Sequence, residues 1–149
     1  MLAIKRENII KTLGVPENKA DDYLVSLIDE LIAYCLNICT PKAAATIFDL
    51  PVFSKSLNNM TIEGVTFNLN KMVTSALQKS SSLAIFAGTC GEKTGQYSAQ
   101  LIKDGHALEG LVVDLIGSEI AEGVAEYIHS RVQSEMTASG FKITNRYSP

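Results

Sequence analysis

The sequence predicts an α+β domain, a mixed or antiparallel twisted sheet packed with helices and carrying one long C-terminal helix. Three observations lead there. An apolar stripe at helical spacing runs from about Ala20 to Asn37. Between Ala43 and Phe67, and again at Leu83 to Ala87, the pattern changes to short runs of strand formers bounded by Pro, Ser and Gly. From about Ala107 to Thr137 the helical spacing returns and persists for many turns. Helices and strands are mixed without regular alternation, and the 149 residues are the usual size of one domain, taken here as 1–149.

In chain order, a short helix spans about Lys5 to Leu13 and stops at Gly14 and Pro16. The second helix carries Leu24, Leu27, Ile28, Leu31 and Cys35 on one stripe, with Asp21 and Asp22 in its first turn, where the helix dipole favours negative charge. Thr46, Phe48, Val52 and Phe53 are strand formers divided by Pro51, and Ile62 to Phe67 reads as a hairpin or as a strand bulged at Gly64. Leu69 to Lys79 reads as a helix facing inward through Met72, Val73, Ala76 and Leu77. The apolar run Leu83 to Ala87 reads as a buried strand. A helix from Thr94 to Lys103 ends at Asp104-Gly105. On the long helix the inward set is Leu108, Leu111, Val112, Leu115, Ala121, Val124, Ala125, Ile128 and Val132. Gly110, Gly117 and Gly123 interrupt it where another backbone or a ligand can come close. Gly140 ends that helix, and Phe141 to Thr144 reads as a last strand.

Composition narrows the function. The hydrophobic fraction is 46% and the charged fraction 19%, a globular balance, and the net charge of -3 opposes nonspecific nucleic-acid binding. No run of about 20 apolar residues suits a membrane span, and the first residues lack the apolar core of a secretory signal. Cys35, Cys39 and Cys90 are an odd number without a disulfide framework, which fits a cytoplasmic location. Cys35 and Cys39, on the face of Leu31, read as small core residues, and no further ligands at metal-site spacing accompany them.

Several patterns invite chemistry. Gly88 to Gly95 joins a strand to a helix but lacks the spacing of a P-loop. It reads as a glycine-rich turn, or as the border of a ligand cleft. Glu119, Glu122, Glu126 and His129 share one helix stripe. Glu126 and His129 match a Glu-x-x-His pair, yet the second copy that a di-iron site needs is missing, since His106 has no glutamate three residues before it. The stripe reads as a solvated face, or as the source of one carboxylate for a cationic ligand. Gly-x-Ser-x-Gly is absent and no triad is placed, so no catalytic residue is assigned; His106 reads as a polar loop residue.

The order of motifs in the second half resembles the activation domains of cobalamin-dependent methionine synthase, and most closely their small stand-alone relatives. Ala87-Gly88-Thr89-Cys90-Gly91 is similar to an Ala-x-Thr-x-Gly that closes an apolar strand in those relatives. Asp114-Leu115-Ile116-Gly117-Ser118 matches their Asp-x-x-Gly-Ser, and Ala121 to His129 looks like their long helix. Thr144 to Pro149 matches Thr-x-Arg-x-Ser-Pro-Gly-Tyr through its proline. The family's Gly-Tyr does not follow Pro149, so the resemblance implies a domain incomplete at its C-terminal end, with strand edges open to self-association into a homo-oligomer.

The resemblance implies binding of S-adenosylmethionine in support of the reductive methylation of a corrinoid cofactor. The domain would bind and position rather than supply a nucleophile. Arg146 would pair with the ligand's carboxylate, Tyr147 and Ser148 would contact it along an extended segment, and Glu122 would face its cationic end. Cobalamin would enter only through a partner, the corrinoid-binding methionine synthase subunit, with an electron donor such as flavodoxin. The alternative is a small-molecule or protein-binding module on the same fold without corrinoid chemistry. A metal-dependent enzyme would rest only on Glu122, Glu126 and His129.

Overall fold

The computed structural model describes residues 4–16, 19–49, 52–54 and 58–147. Among the described residues, five helices and two small antiparallel sheets make an α+β fold with a long C-terminal helix. The elements are α1 (Arg6–Thr12), α2 (Asp22–Ile38), β1 (Lys42–Asp49), β2 (Val52–Ser54), β3 (Asn59–Ile62), β4 (Val65–Asn68), α3 (Lys71–Leu77), β5 (Ser82–Thr89), α4 (Glu92–Lys103) and α5 (Ala107–Ala138). One sheet pairs β1 with β5, and the other has the order β2-β3-β4. The chain divides into two compact units, one formed by 1–43 and 88–127 and the other by 44–87 and 128–149.

The first unit is helical. The Asp21 carboxylate caps α2 by accepting from the Leu24 N–H at 2.8 Å. The α2 stripe buries Ile28, Leu31 and Cys35 against Ile9 and Ile10 of α1 and Val112, Val113, Ile116 and Ile120 of α5. On α5, Val112, Val124 and Ile128 of the expected inward set are buried, as are Val113, Ile116 and Ile120, which that set left out, whereas Leu108 and Leu111 are more than 40% exposed. Here α5 is apolar on more than one side, and periodicity alone does not fix which side faces in. Two glycines set the approach of α4 to α5. A Cβ on Gly110 would lie 2.5 Å from Ile102 Cγ1 and 3.0 Å from the Ser98 carbonyl, and one on Gly117 would lie 3.3 Å from Thr94 Cγ2. The Ser98 hydroxyl donates to the Gly110 carbonyl at 2.8 Å across the same contact.

Thr94 is 1% exposed, and its hydroxyl has no hydrogen-bond partner among the described residues. Replacing it with the near-isosteric valine removes a buried polar group and is expected to stabilise the chain by about 1 kcal/mol. Urea denaturation measures this, and a lowered midpoint for Thr94→Val would show that the hydroxyl is bonded after all.

The second unit holds the three-stranded sheet. β3 and β4 pair Ile62 with Val65 around a tight turn in which Glu63 and Gly64 have φ of 47° and 82°. Positive φ at both central positions marks a two-residue hairpin turn whose twist matches that of the strands. The Thr61 and Thr66 hydroxyls meet across the ladder at 3.1 Å, and Met60 and Ile62 fill the buried face. The Asn70 side chain caps α3 by accepting from the Val73 N–H at 2.8 Å. α3 buries Val73, Thr74 and Leu77, while Met72, expected inside, is 69% exposed.

Two strand expectations are corrected. β5 extends beyond Leu83 to Ala87 and is only partly buried, with Ile85 37% exposed. Residues 141–147 form no strand, although Phe141 to Thr144 has strand composition. Strand propensity expresses itself through cross-strand neighbours, and this segment pairs with neither sheet.

Candidate functional site

A cavity of about 330 Å³ lies in the second unit, and five segments build its wall: Ile47 of β1, the end of α3 with the turn after it, the first half of β5, the last turns of α5 and residues 141–147. That volume is at the lower end of the range for small-molecule sites. From α5 come His129, Val132 and Met136, which follow one another at helical spacing on one face. From β5 come Ser82, Ala84 and Phe86, alternate residues on one face of the strand, together with Leu83.

Helix α5 ends in a way that explains how its tail reaches this wall. Gly140 takes φ of 83°. Its N–H donates to the Thr137 carbonyl at 3.0 Å, and the Phe141 N–H donates to the Met136 carbonyl at 2.9 Å. These paired bonds form a Schellman cap, which satisfies the last carbonyls and reverses the chain direction. Met136 and Phe141, joined by that bond, both line the cavity, and 142–147 continue along it.

Of the residues expected at a binding site, Arg146 and Tyr147 line this cavity. Arg146 is half-buried, and Tyr147 is partly exposed. Ser148 lies outside the described residues. Glu122 is exposed on the part of α5 that belongs to the first unit. Within its own unit the carboxylate stripe is partly engaged, as Glu119 accepts from the Asn8 amide at 2.9 Å. His129, the last member of that stripe, is a cavity residue.

Sequence reasoning did not pick out Lys79, Phe86, Phe141 or Lys142 as site residues. The one local signal for any of them was Gly140 after a helix, because a glycine cap commonly brings the next apolar residue back onto the last turn.

The loop 88–95 is a strand-to-helix turn. Gly91 is the N-cap of α4, with no side-chain cap, and its N–H donates to the Thr89 hydroxyl at 3.1 Å. His106 meets Glu109 at 3.3 Å, at the start of α5. Among the described residues, no three His, Cys, Asp or Glu side chains are grouped to hold a metal ion, and no helix is long and apolar enough to cross a membrane.

All three thiols belong to the first unit, and Cys39 and Cys90 pack against the core that contains Cys35. Burial pushes the Cys35 thiol up to about 11, with smaller contributions from Cys39 and Cys90. The thiolate is the reactive form, so Cys35 is expected to be the last of the three to react with a disulfide reagent at pH 8 in the folded chain. Mass spectrometry of the labelled peptides reads the order. The folded state holds this proton more tightly than the unfolded state does. Its contribution is therefore fully present below the unfolded pKa of about 8.5–9 and is lost as the pH rises towards 11, by roughly 2 kcal/mol. Comparison with Cys35→Ala across that window isolates it.

A search against models of protein families and a search of curated proteins both found no match to this chain.

Proposed function

We propose that the chain is an S-adenosylmethionine-binding accessory protein that supports reductive methylation of the corrinoid cofactor of a methionine synthase. The single observation that carries this reading is the placement of Arg146 and Tyr147, from the motif that resembles the family's binding segment, in the wall of a cavity of small-molecule size. Local order adds support, since the Gly140 cap ends α5 and residues 141–147 follow it along that wall.

In this reading Arg146 holds the ligand's carboxylate, for which a guanidinium offers two parallel N–H donors. Phe86, Phe141 and Tyr147 offer ring surfaces to its adenine. The ligand supplies the methyl group, and the chain supplies orientation and exclusion of water. The corrinoid, the methionine synthase subunit that holds it and the electron donor, such as a flavodoxin, are partners of this reading.

The test is reactivation. A corrinoid protein stalled in its oxidised state is mixed with a one-electron reductant, S-adenosylmethionine and this chain, and the absorption of the methylated corrinoid is followed. A rate that rises with the amount of chain supports the proposal. A rate that does not depend on the chain contradicts it and favours a binding module without corrinoid chemistry.

A further inference from the structure

β1 pairs with β5, and among the described residues its other edge joins no strand. All of its eight residues except Phe48 are exposed. Between Lys42 and Asp49 the strand reads Ala43-Ala44-Ala45-Thr46-Ile47-Phe48, with no charge and no proline. Edge strands that stay unpaired are usually guarded by such residues, above all by a lysine in mid-strand. A sheet of two strands is marginal by itself, and further strands stabilise it. β5 is uncharged from Ser82 to Thr89, so nothing in its sequence sets the direction of a partner strand. β1 differs, because it begins with a cation and ends with an anion.

We infer that the open edge of β1 is the interface of a homodimer, in which a second copy of this chain adds its own β1 antiparallel to the first. The charges at the strand ends select that occupant. A two-fold axis at Ala45 or Thr46 sets Lys42 of each strand within one residue of Asp49 in the other, a span that the flexible lysine stem covers. Parallel pairing would instead set Lys42 beside Lys42 and Asp49 beside Asp49. Asp49 is able to serve both contacts, since the Ser82 hydroxyl donates to its Oδ1 at 2.8 Å and a carboxylate has a second oxygen. Main-chain hydrogen bonds along the edge supply the affinity, and the two-fold axis closes the assembly at two copies. The product is one continuous sheet, β5-β1 of one copy running into β1-β5 of the other. A single strand pair is a small interface, so the dimer is weak and forms with rising concentration. Pairing at β1 requires no ligand.

Sedimentation equilibrium on the whole chain, from about 10 µM to about 1 mM, is expected to show monomer passing to dimer and nothing larger. Lys42→Asp sets two like-charged pairs at the interface and is expected to weaken the dimer about tenfold, and Asp49→Lys does the same. The double substitution Lys42→Asp with Asp49→Lys restores opposite charges and is expected to recover most of the loss.

Hydrogen exchange reads the interface without any substitution. Alternate amides among residues 43–48, those that face away from β5, are expected to exchange more slowly as the chain is concentrated, while those of α1 and α2 keep their rates. If Asp49→Lys unfolds for want of its bond to Ser82, Lys42→Asp and the exchange rates decide the matter. A chain that stays monomeric or passes to larger species, a dimer that Lys42→Asp leaves unchanged, or a dimer with no added protection at 43–48 would overturn the inference.

Discussion

Replacing Gly91 with alanine is expected to lower the stability of the chain by about 3 kcal/mol, by the joint cost of backbone strain and overpacking. Gly91 has φ of 87° and ψ of 170°, a conformation that side chains with a Cβ rarely adopt. The added Cβ would meet Thr40 Oγ1 at 2.3 Å, the Thr40 carbonyl oxygen at 2.8 Å and the Thr40 nitrogen at 3.2 Å. A rotamer change of Thr40 clears the hydroxyl but not the main chain. That main chain is pinned, because the Thr40 N–H donates to the Cys90 carbonyl at 3.0 Å. Gly95, four residues on in α4, is the control, since nothing lies within 4 Å of its added Cβ. Gly95→Ala is expected to be neutral or to stabilise by up to about 1 kcal/mol through helix propensity. Urea midpoints of the two variants test the contrast, and equal midpoints would show that the 39–41 and 90–91 segments are not held together as described.

Arg146→Ala is expected to weaken S-adenosylmethionine binding by about tenfold to a hundredfold, the worth of hydrogen bonds to a charged group. The side chain is half-buried in the cavity wall, where a carboxylate ligand is screened less than at an open surface. Arg146→Lys keeps the charge but not the planar pair of donors, and it is expected to recover only part of the loss. Isothermal calorimetry on the three proteins measures this. Unchanged affinity in Arg146→Ala would remove Arg146 from the site.

The elements legible in the sequence were those with local signals. Asp21 at the start of α2, Glu63-Gly64 between β3 and β4, and Gly105 and Gly140 at helix ends each fix backbone geometry through their own chemistry. The failures were tertiary. Phe141 to Thr144 has strand composition but no strand partner, and the inward face of α5 depends on which helices cover it. The helix glycines were legible as close-approach positions, and α4 fills Gly110 and Gly117. Arg146 and Tyr147 were singled out by resemblance alone, as an arginine and a tyrosine near a chain end carry no local signature. The rest of the cavity wall was illegible because its five segments, from Ile47 to Tyr147, are far apart in sequence. Glu122 was likewise singled out by resemblance, and it lies on the part of α5 in the first unit.

The most direct test of the central claim is an NMR titration of the isotope-labelled chain with S-adenosylmethionine. The account predicts saturable shifts concentrated in residues 79–86 and 141–147, with the side-chain signals of Arg146 among the most affected. An absence of shifts at about 1 mM ligand, where even weak specific sites begin to fill, or shifts confined to α1, α2 and α4, would contradict it.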